Sequence, residues 1–523
     1  MTKDIKGPRL DRRGFMGAST LGTGAALVGL GAASSAFAQP GTANPAAGAP
    51  QVDFPEDPRM FGGSGTNRTE MDLRDCEVEG AWPKDLNGAF YRVGPDPQYP
   101  KAPEHVGDIP FDGEGHVSMF RIKDGHVDYK TRYAKNARWK AQAEARRSLY
   151  GMYRNPTTND PSVEGLNQGT ANTQLFTHHG KLLVFKEDSP PVAMDPLTLE
   201  TTDPEYTFGG KLESKTHTAH PKIDPYTGEF ISFGYEANGF LSKDVNVFTA
   251  DKDGEITWSV TVEAPYAGMM HDFCVTQDYV VLYLVNMVAD PDRIAAGGVH
   301  FSYDSKTPCY MGILRRGGDG TDIRWLTGPN LFCTHVMGGW NDGTKITVDM
   351  DGGEGNQFPF FPSLHEPWDP VKGTGYLRRF TVDLADGGNT YQAETIFPEL
   401  TGVLARQDDR FHTLPYRWGF LQVTGPNGGW GIVDHQTGTS KIARVEGYSL
   451  SEMCFVPRTP DAPEGDGYLI GLGSSQAENG RSNLFLFDLA DIESGPRAWV
   501  KMPYACVGQV HGWWADAEAI GAA

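Results

Sequence analysis

Short apolar runs, each closed off by turn formers, organise most of the chain. The segments 181–185 (Lys-Leu-Leu-Val-Phe), 279–284 (Tyr-Val-Val-Leu-Tyr-Leu) and 483–487 (Asn-Leu-Phe-Leu-Phe) are apolar and bounded by Gly, Asp, Asn or Pro. Runs of that length and character predict β-strands. A loose repeat accompanies them: an apolar pair or triplet, then Asp, then a turn, as at Met194-Asp195-Pro196, Ile223-Asp224-Pro225, Ala250-Asp251, Val382-Asp383, Val433-Asp434 and Phe487-Asp488. Asp bonds the local backbone and Gly tolerates positive φ, so both close hairpins. Hairpins punctuated in this way over about 480 residues predict radially arranged four-stranded sheets, an all-β propeller. The repeat is too degenerate to count blades, and a pair of β-sandwiches fits the same pattern. One helix is predicted, over residues 135–150; it is basic on much of its surface and reads as solvated.

Composition sharpens this picture. Among 523 residues, 64 Gly and 36 Pro disfavour long helices and coiled coils. The net charge of −21, from 46 basic and 67 acidic side chains, repels a phosphate backbone, so nucleic acid is excluded as a partner. The N-terminus departs from the rest. Arg12-Arg13-Gly14-Phe15-Met16, a weakly apolar Gly/Ala/Leu run to Gly31, and Ala36-Phe37-Ala38 before Gln39 read as a twin-arginine signal peptide over 1–38. The run is too short and glycine-rich for a stable membrane span. The twin-arginine export machinery is thus an expected partner, and the periplasm or exterior the expected location. Residues 39–66, rich in Ala, Gly, Pro and Asn, read as a flexible lead-in, and 67–523 as a single propeller domain. Export of an already folded protein suits a chain that must capture one metal before meeting others. The six cysteines form no C-x-x-C and no regular spacing; most read as buried small hydrophobes, with a disulfide left open.

Four of the 14 histidines stand in short segments beside small or apolar residues: Thr218-Ala219-His220-Pro221, Met270-His271-Asp272-Phe273, Cys333-Thr334-His335-Val336 and Val510-His511-Gly512-Trp513. A neutral imidazole on an apolar inward face needs a partner, either a metal or a backbone carbonyl. Histidines so far apart in sequence meet only if several sheets converge on one axis, which a propeller provides. Residues 216–221 alternate and end in Pro, so a strand is expected there. His217 and His220 then face opposite ways, and His220 is the candidate ligand. His178-His179-Gly180 reads as an exposed turn between strands. The Gly-rich run around His116 follows no strand-to-helix pattern and is no nucleotide loop. An all-imidazole site suits iron, zinc or copper.

Taken together, these segments resemble the carotenoid cleavage oxygenase family, along with Leu86-Asn87-Gly88-Ala89-Phe90-Tyr91-Arg92-Val93-Gly94-Pro95-Asp96-Pro97 and Phe111-Asp112-Gly113-Glu114-Gly115. The resemblance implies a seven-bladed propeller with a cap of helices and loops over an axial iron. It further implies one Fe(II) per chain held by His220, His271, His335 and His511, and O2 as co-substrate. Lys186-Glu187-Asp188-Ser189 and Tyr150-Gly151-Met152-Tyr153-Arg154-Asn155-Pro156 are similar to the lignostilbene dioxygenase branch. On that resemblance Lys186 and Tyr153 bind the 4-hydroxyl of a hydroxystilbene, Phe111 stacks on the substrate, and Thr173 lies near the iron's blocked coordination position. Glu187 and Glu452 match two of the three glutamates that orient the histidines. At the third, where the branch usually reads Gly-Glu-Phe-Pro-Arg, this chain has Gly402-Val403-Leu404-Ala405-Arg406. Val403 thus removes the carboxylate expected to serve His335, unless water, Glu399 or Glu394 replaces it. The implied reaction is cleavage of the central C=C of a small phenolic alkene, a 4-hydroxystilbene, by O2 to two aromatic aldehydes. Cleavage of a carotenoid or apocarotenoid is the alternative, and a scaffold with a degenerate metal site is a third. Ring substitution, oligomeric state and membrane association are left open by the sequence.

Overall fold

The apolar runs become strands whose limits are set by the flanking turn residues. Residues 181–185 form Lys181–Phe185, 279–284 form Tyr279–Leu284, and 483–487 lie within Ser482–Asp488. The structure is a computed structural model describing residues 67–522 apart from 106, 107, 426 and 427. The signal peptide and lead-in expected at 1–66 lie outside the described residues.

Seven antiparallel sheets of four or five strands form the blades of a propeller. The strands nearest the axis are His511–Asp516 in blade 1, Gln174–His178 in blade 2, Lys222–Ile223 in blade 3 and Phe273–Val275 in blade 4. Phe332–Asp342, Gly402–Gln407 and Tyr448–Pro457 continue the ring through blades 5, 6 and 7. The ring closes twice. The C-terminal strand His511–Asp516 pairs with Gly88–Pro95 to complete blade 1, and the N-terminal Val78–Gly80 pairs with Ala498–Lys501 to complete blade 7. Each closure pairs a strand that would otherwise stand as a free edge.

The repeated aspartates do one job. Asp195, Asp251, Asp383, Asp434 and Asp488 follow or end the third strand of blades 2, 3, 5, 6 and 7. Each accepts the backbone N–H two residues on, at 2.9–3.2 Å. This is the Asx turn that starts the return strand. Between blades the apolar faces pack directly, as where Phe185 of blade 2 meets Phe230 and Phe248 of blade 3. Each such buried ring contributes about 1.5–3 kcal/mol.

Long excursions from blades 1, 4 and 5 build the cap. They carry the helix Ala137–Ala145, the short ribbon of Met287–Ala289 and Phe301–Tyr303, and the aromatic run Phe358, Phe360 and Phe361. The helix is shorter than the expected 135–150, and it is only partly solvated: Lys140 and Glu144 are exposed while Arg138 and Gln142 are buried. Asn136 caps it by accepting from Trp139 N at 3.0 Å, and Arg146, at φ 54°, ends it. On the buried edge Arg138 donates to Asp112 and Glu114, and Gln142 to Glu114, all of them buried. All six cysteines are free and five are buried. No helix among the described residues is long and apolar enough to cross a membrane.

Candidate metal centre

The axial ends of four blades deliver the four histidines to one point. His220 and His271 immediately precede the inner strands of blades 3 and 4, His335 sits in that of blade 5, and His511 begins that of blade 1. One ring nitrogen from each lies within 4.8 Å of the others, and all four rings are buried. His220 Nε2 is 3.2 Å from His271 Nε2, which is 3.1 Å from His335 Nε2.

The outer ring nitrogens explain why the inner ones face each other. His271 Nδ1 meets Glu187 Oε1 at 2.5 Å, and His511 Nδ1 meets Glu452 Oε1 at 3.0 Å. A carboxylate accepts the Nδ1 proton, which leaves the Nε2 lone pair directed inward. Burial, then the neighbouring His511, His271 and His335 rings, hold His220 well below the usual imidazole range, so its ring is neutral. His511 Nε2 is buried with no hydrogen-bond partner. Lone pairs converging at such distances repel unless a cation lies among them. The donor set therefore fits a first-row transition metal.

Local irregularities aim these side chains. His335 sits in a register shift between Cys333 and Val336, and Glu452 in one between Leu450 and Met453. A bulge re-aims a residue that a regular strand would turn elsewhere. Asp272 fastens three segments: it accepts from Val336 N at 2.8 Å, from Phe273 N at 2.7 Å and from Lys222 Nζ at 2.7 Å.

The expected strand at 216–221 is absent. Pro221 offers no N–H, and the Thr218 hydroxyl instead accepts from His220 N at 3.1 Å. The separation of the two histidines nevertheless holds. His217 turns into the blade, stacked on Phe185 with Nδ1 2.6 Å from Thr218 O, while His220 joins the cluster. At the expected exposed turn His179 and Gly180 are exposed, but His178 is buried. His116 meets Thr69 O at 2.7 Å and Tyr133 edge-on, apart from the cluster.

Beside the metal centre lies a cluster of aromatic side chains. Lys186 and Glu187 follow the strand Lys181–Phe185 and serve different sites. Glu187 holds His271, while Lys186 Nζ lies 4.5 Å from the Phe111 ring centre and 5.2 Å from that of Tyr153. Lys186 is 2 % exposed; its Nζ lies 3.9 Å from Glu187 Oε2, and neither it nor the Tyr153 hydroxyl makes a hydrogen bond among the described residues. Burial, reinforced by Glu187, pushes Tyr153 well above the usual phenol range, so it keeps its proton. Phe111 meets Tyr153 at 5.9 Å and Phe360 at 4.9 Å; Phe360 stacks on Phe358, which reaches the His271 ring at 6.0 Å. These ring contacts thus run from the lysine to the histidines. Sequence reasoning missed Phe358, Phe360 and Phe361, for which the dense 357–363 run Gln-Phe-Pro-Phe-Phe-Pro-Ser was the available signal. Thr173 is buried and donates to Asn172 Oδ1 at 3.0 Å, with no hydrogen bond to the four rings.

Neither glutamate proposed to replace the one lost at 403 does so. Glu394 is exposed, and the exposed Glu399 accepts from Ser440. The acid beside His335 is Asp351, whose Oδ2 lies 3.4 Å from Nδ1.

Comparison with known proteins agrees with this geometry. Residues 65–516 match the family described as retinal pigment epithelial membrane protein. Lignostilbene-alpha,beta-dioxygenase isozyme III of Sphingomonas paucimobilis is 40% identical over 89% of this chain and 99% of its own length. Isoeugenol monooxygenase of Pseudomonas nitroreducens is 38% identical over 88% and 98%. The crystal structure of Pseudomonas brassicacearum lignostilbene dioxygenase superposes with a TM-score of 0.84 at 37% identity, covering 89% of this chain and all of that one.

Proposed function

Since the chain belongs to the carotenoid oxygenase family, in which its near relatives include a lignostilbene dioxygenase, we propose that it cleaves the central C=C of a 4-hydroxystilbene. O2 supplies one oxygen atom to each alkene carbon, giving two aromatic aldehydes. Iron, held by His220, His271, His335 and His511, supplies when bound the redox chemistry that makes O2 reactive.

The chain's own residues select and prepare the substrate. The observation that carries this reading is the Lys186 ammonium and the Tyr153 ring together beside Phe111, linked to the histidines by a run of aromatic contacts. The Lys186 ammonium favours the phenolate form of a bound 4-hydroxyl, and the protonated Tyr153 donates a second hydrogen bond to the same oxygen. The apolar rings of Phe111, Phe358, Phe360 and Phe361 lower the local dielectric, which strengthens that ion pair. Phenolate electron density then reaches the alkene through the ring. Phe111 bounds the ring's position. The sequence pattern of 1–38 supports export to the periplasm as a folded protein.

A matched pair of substrates tests the reading. A 4-hydroxystilbene is expected to turn over at least about 100-fold faster than its 4-methoxy analogue, which cannot ionise. Equal rates would remove the phenolate role, and an apocarotenoid cleaved faster than either would transfer the proposal to polyenes.

A further inference from the structure

Two of the three carboxylate-supported histidines are served by glutamates at the positions the sequence predicts. His335 has no such glutamate, since residue 403 is a valine. Its Nδ1 is buried, and among the described residues it has no hydrogen-bond partner of good geometry. A ring nitrogen in that setting needs an acceptor to fix its tautomer and aim. The one acid at hand is Asp351, in the second strand of blade 5, with Oδ2 at 3.4 Å.

We infer that Asp351 is the positioning residue for His335, a carboxylate supplied from blade 5 in place of the one missing from position 403 in blade 6. The inference rests on the metal-centre reading above and adds a residue to it.

Three observations carry it. Asp351 is fully buried, and a buried carboxylate without a cationic or proton-donating partner is costly. It is also held in place from two blades. Thr334, next to His335, donates its hydroxyl to Oδ1 at 2.7 Å, and Ala405 N donates to Oδ2 at 3.1 Å. Ala405 lies in the register shift between Val403 and Arg406, where Leu404 takes φ 56° and turns the backbone N–H toward blade 5. A proline at 405, as in the pattern Gly-Glu-Phe-Pro-Arg, has no N–H to give. The stretch that lacks the glutamate thus carries the donor that holds its replacement. Finally, the His335 backbone N–H itself donates to Asp351 Oδ1, at 3.4 Å.

The test measures metal binding, not turnover. Full-length protein is stripped, reloaded anaerobically with Fe(II) or with Co(II), and challenged with a chelator. Asp351→Asn is compared with the parent, with Glu187→Gln as a benchmark and with the double variant Asp351→Asn/Val403→Glu. Asp351→Asn is expected to weaken Fe(II) retention by about 10–100-fold, as Glu187→Gln does, and to shift the Co(II) ligand-field spectrum. The metal-free variant should melt near the parent, and Val403→Glu should restore part of the retention. Parental retention in Asp351→Asn overturns the inference. So does a fall in metal-free melting temperature with an unchanged Co(II) spectrum, which makes Asp351 a structural anchor only. Failure of the parent itself to hold either metal is a different result, and removes the metal-centre reading instead.

Discussion

Lys186 and Glu187 are neighbours in sequence with separate tasks, which makes them separable by mutation. Lys186→Met removes the ammonium and keeps an apolar stem among the aromatic rings. Turnover of a 4-hydroxystilbene should fall by about 100-fold or more while bound metal stays at the parental ratio. Metal lost in proportion to activity would make Lys186 structural. Glu187→Gln should do the reverse, lowering metal affinity about 10–100-fold through His271, as chelator competition would read. The convergence of the four histidines was legible because each sits in a short apolar segment of a hairpin-repeat chain, whereas Lys186, Tyr153 and the two glutamates came only from the resemblance to the family. Asp351 was legible in neither way. Its role arises from a bulge more than fifty residues away that swings Ala405 N into its reach, and no spacing along the chain encodes that.

At the scale of elements, the Asp-punctuated hairpins were readable because an Asx turn is local: acceptor and donor are two residues apart. Blade count was not, since it depends on which turns connect strands within a sheet and which lead to the next. The helix was misread for a related reason. Arg138 and Gln142 resemble a solvated polar face until the buried acids Asp112 and Glu114 are brought beneath them. Their burial yields a prediction. Arg138→Ala leaves both carboxylates short of their main cation and should destabilise the protein by about 3–5 kcal/mol, seen as a lowered denaturation midpoint. Because Asp112 adjoins Phe111, weaker substrate binding should accompany it. An unchanged midpoint would show that Lys101, which also pairs with Asp112, holds the segment alone.

The whole ring is held by its ends, and the last strand supplies both a closure and His511, so folding and metal capture share one element. Acid should open this assembly. Burial, with His179 adding to it at His178, lowers His178 and His217 to about 4 in the folded chain. Unfolded imidazoles titrate near about 6.5, so the unfolded state binds more protons between these values. Stability is therefore fully present above about 6.5 and declines as pH falls toward 4, by on the order of 3 kcal/mol for each ring at most. Urea midpoints of metal-free protein at pH 7.5 and 5.0 measure this. A midpoint as high at pH 5.0 would contradict it.

The most direct test of the account is product identification by mass spectrometry, with iron-loaded protein, 18O2 and a panel of 4-hydroxystilbenes beside one apocarotenoid. Two aromatic aldehydes from the stilbenes, each carrying one labelled oxygen when analysed before exchange with water, are the predicted result. No aldehyde from any stilbene with an iron-replete sample would contradict it.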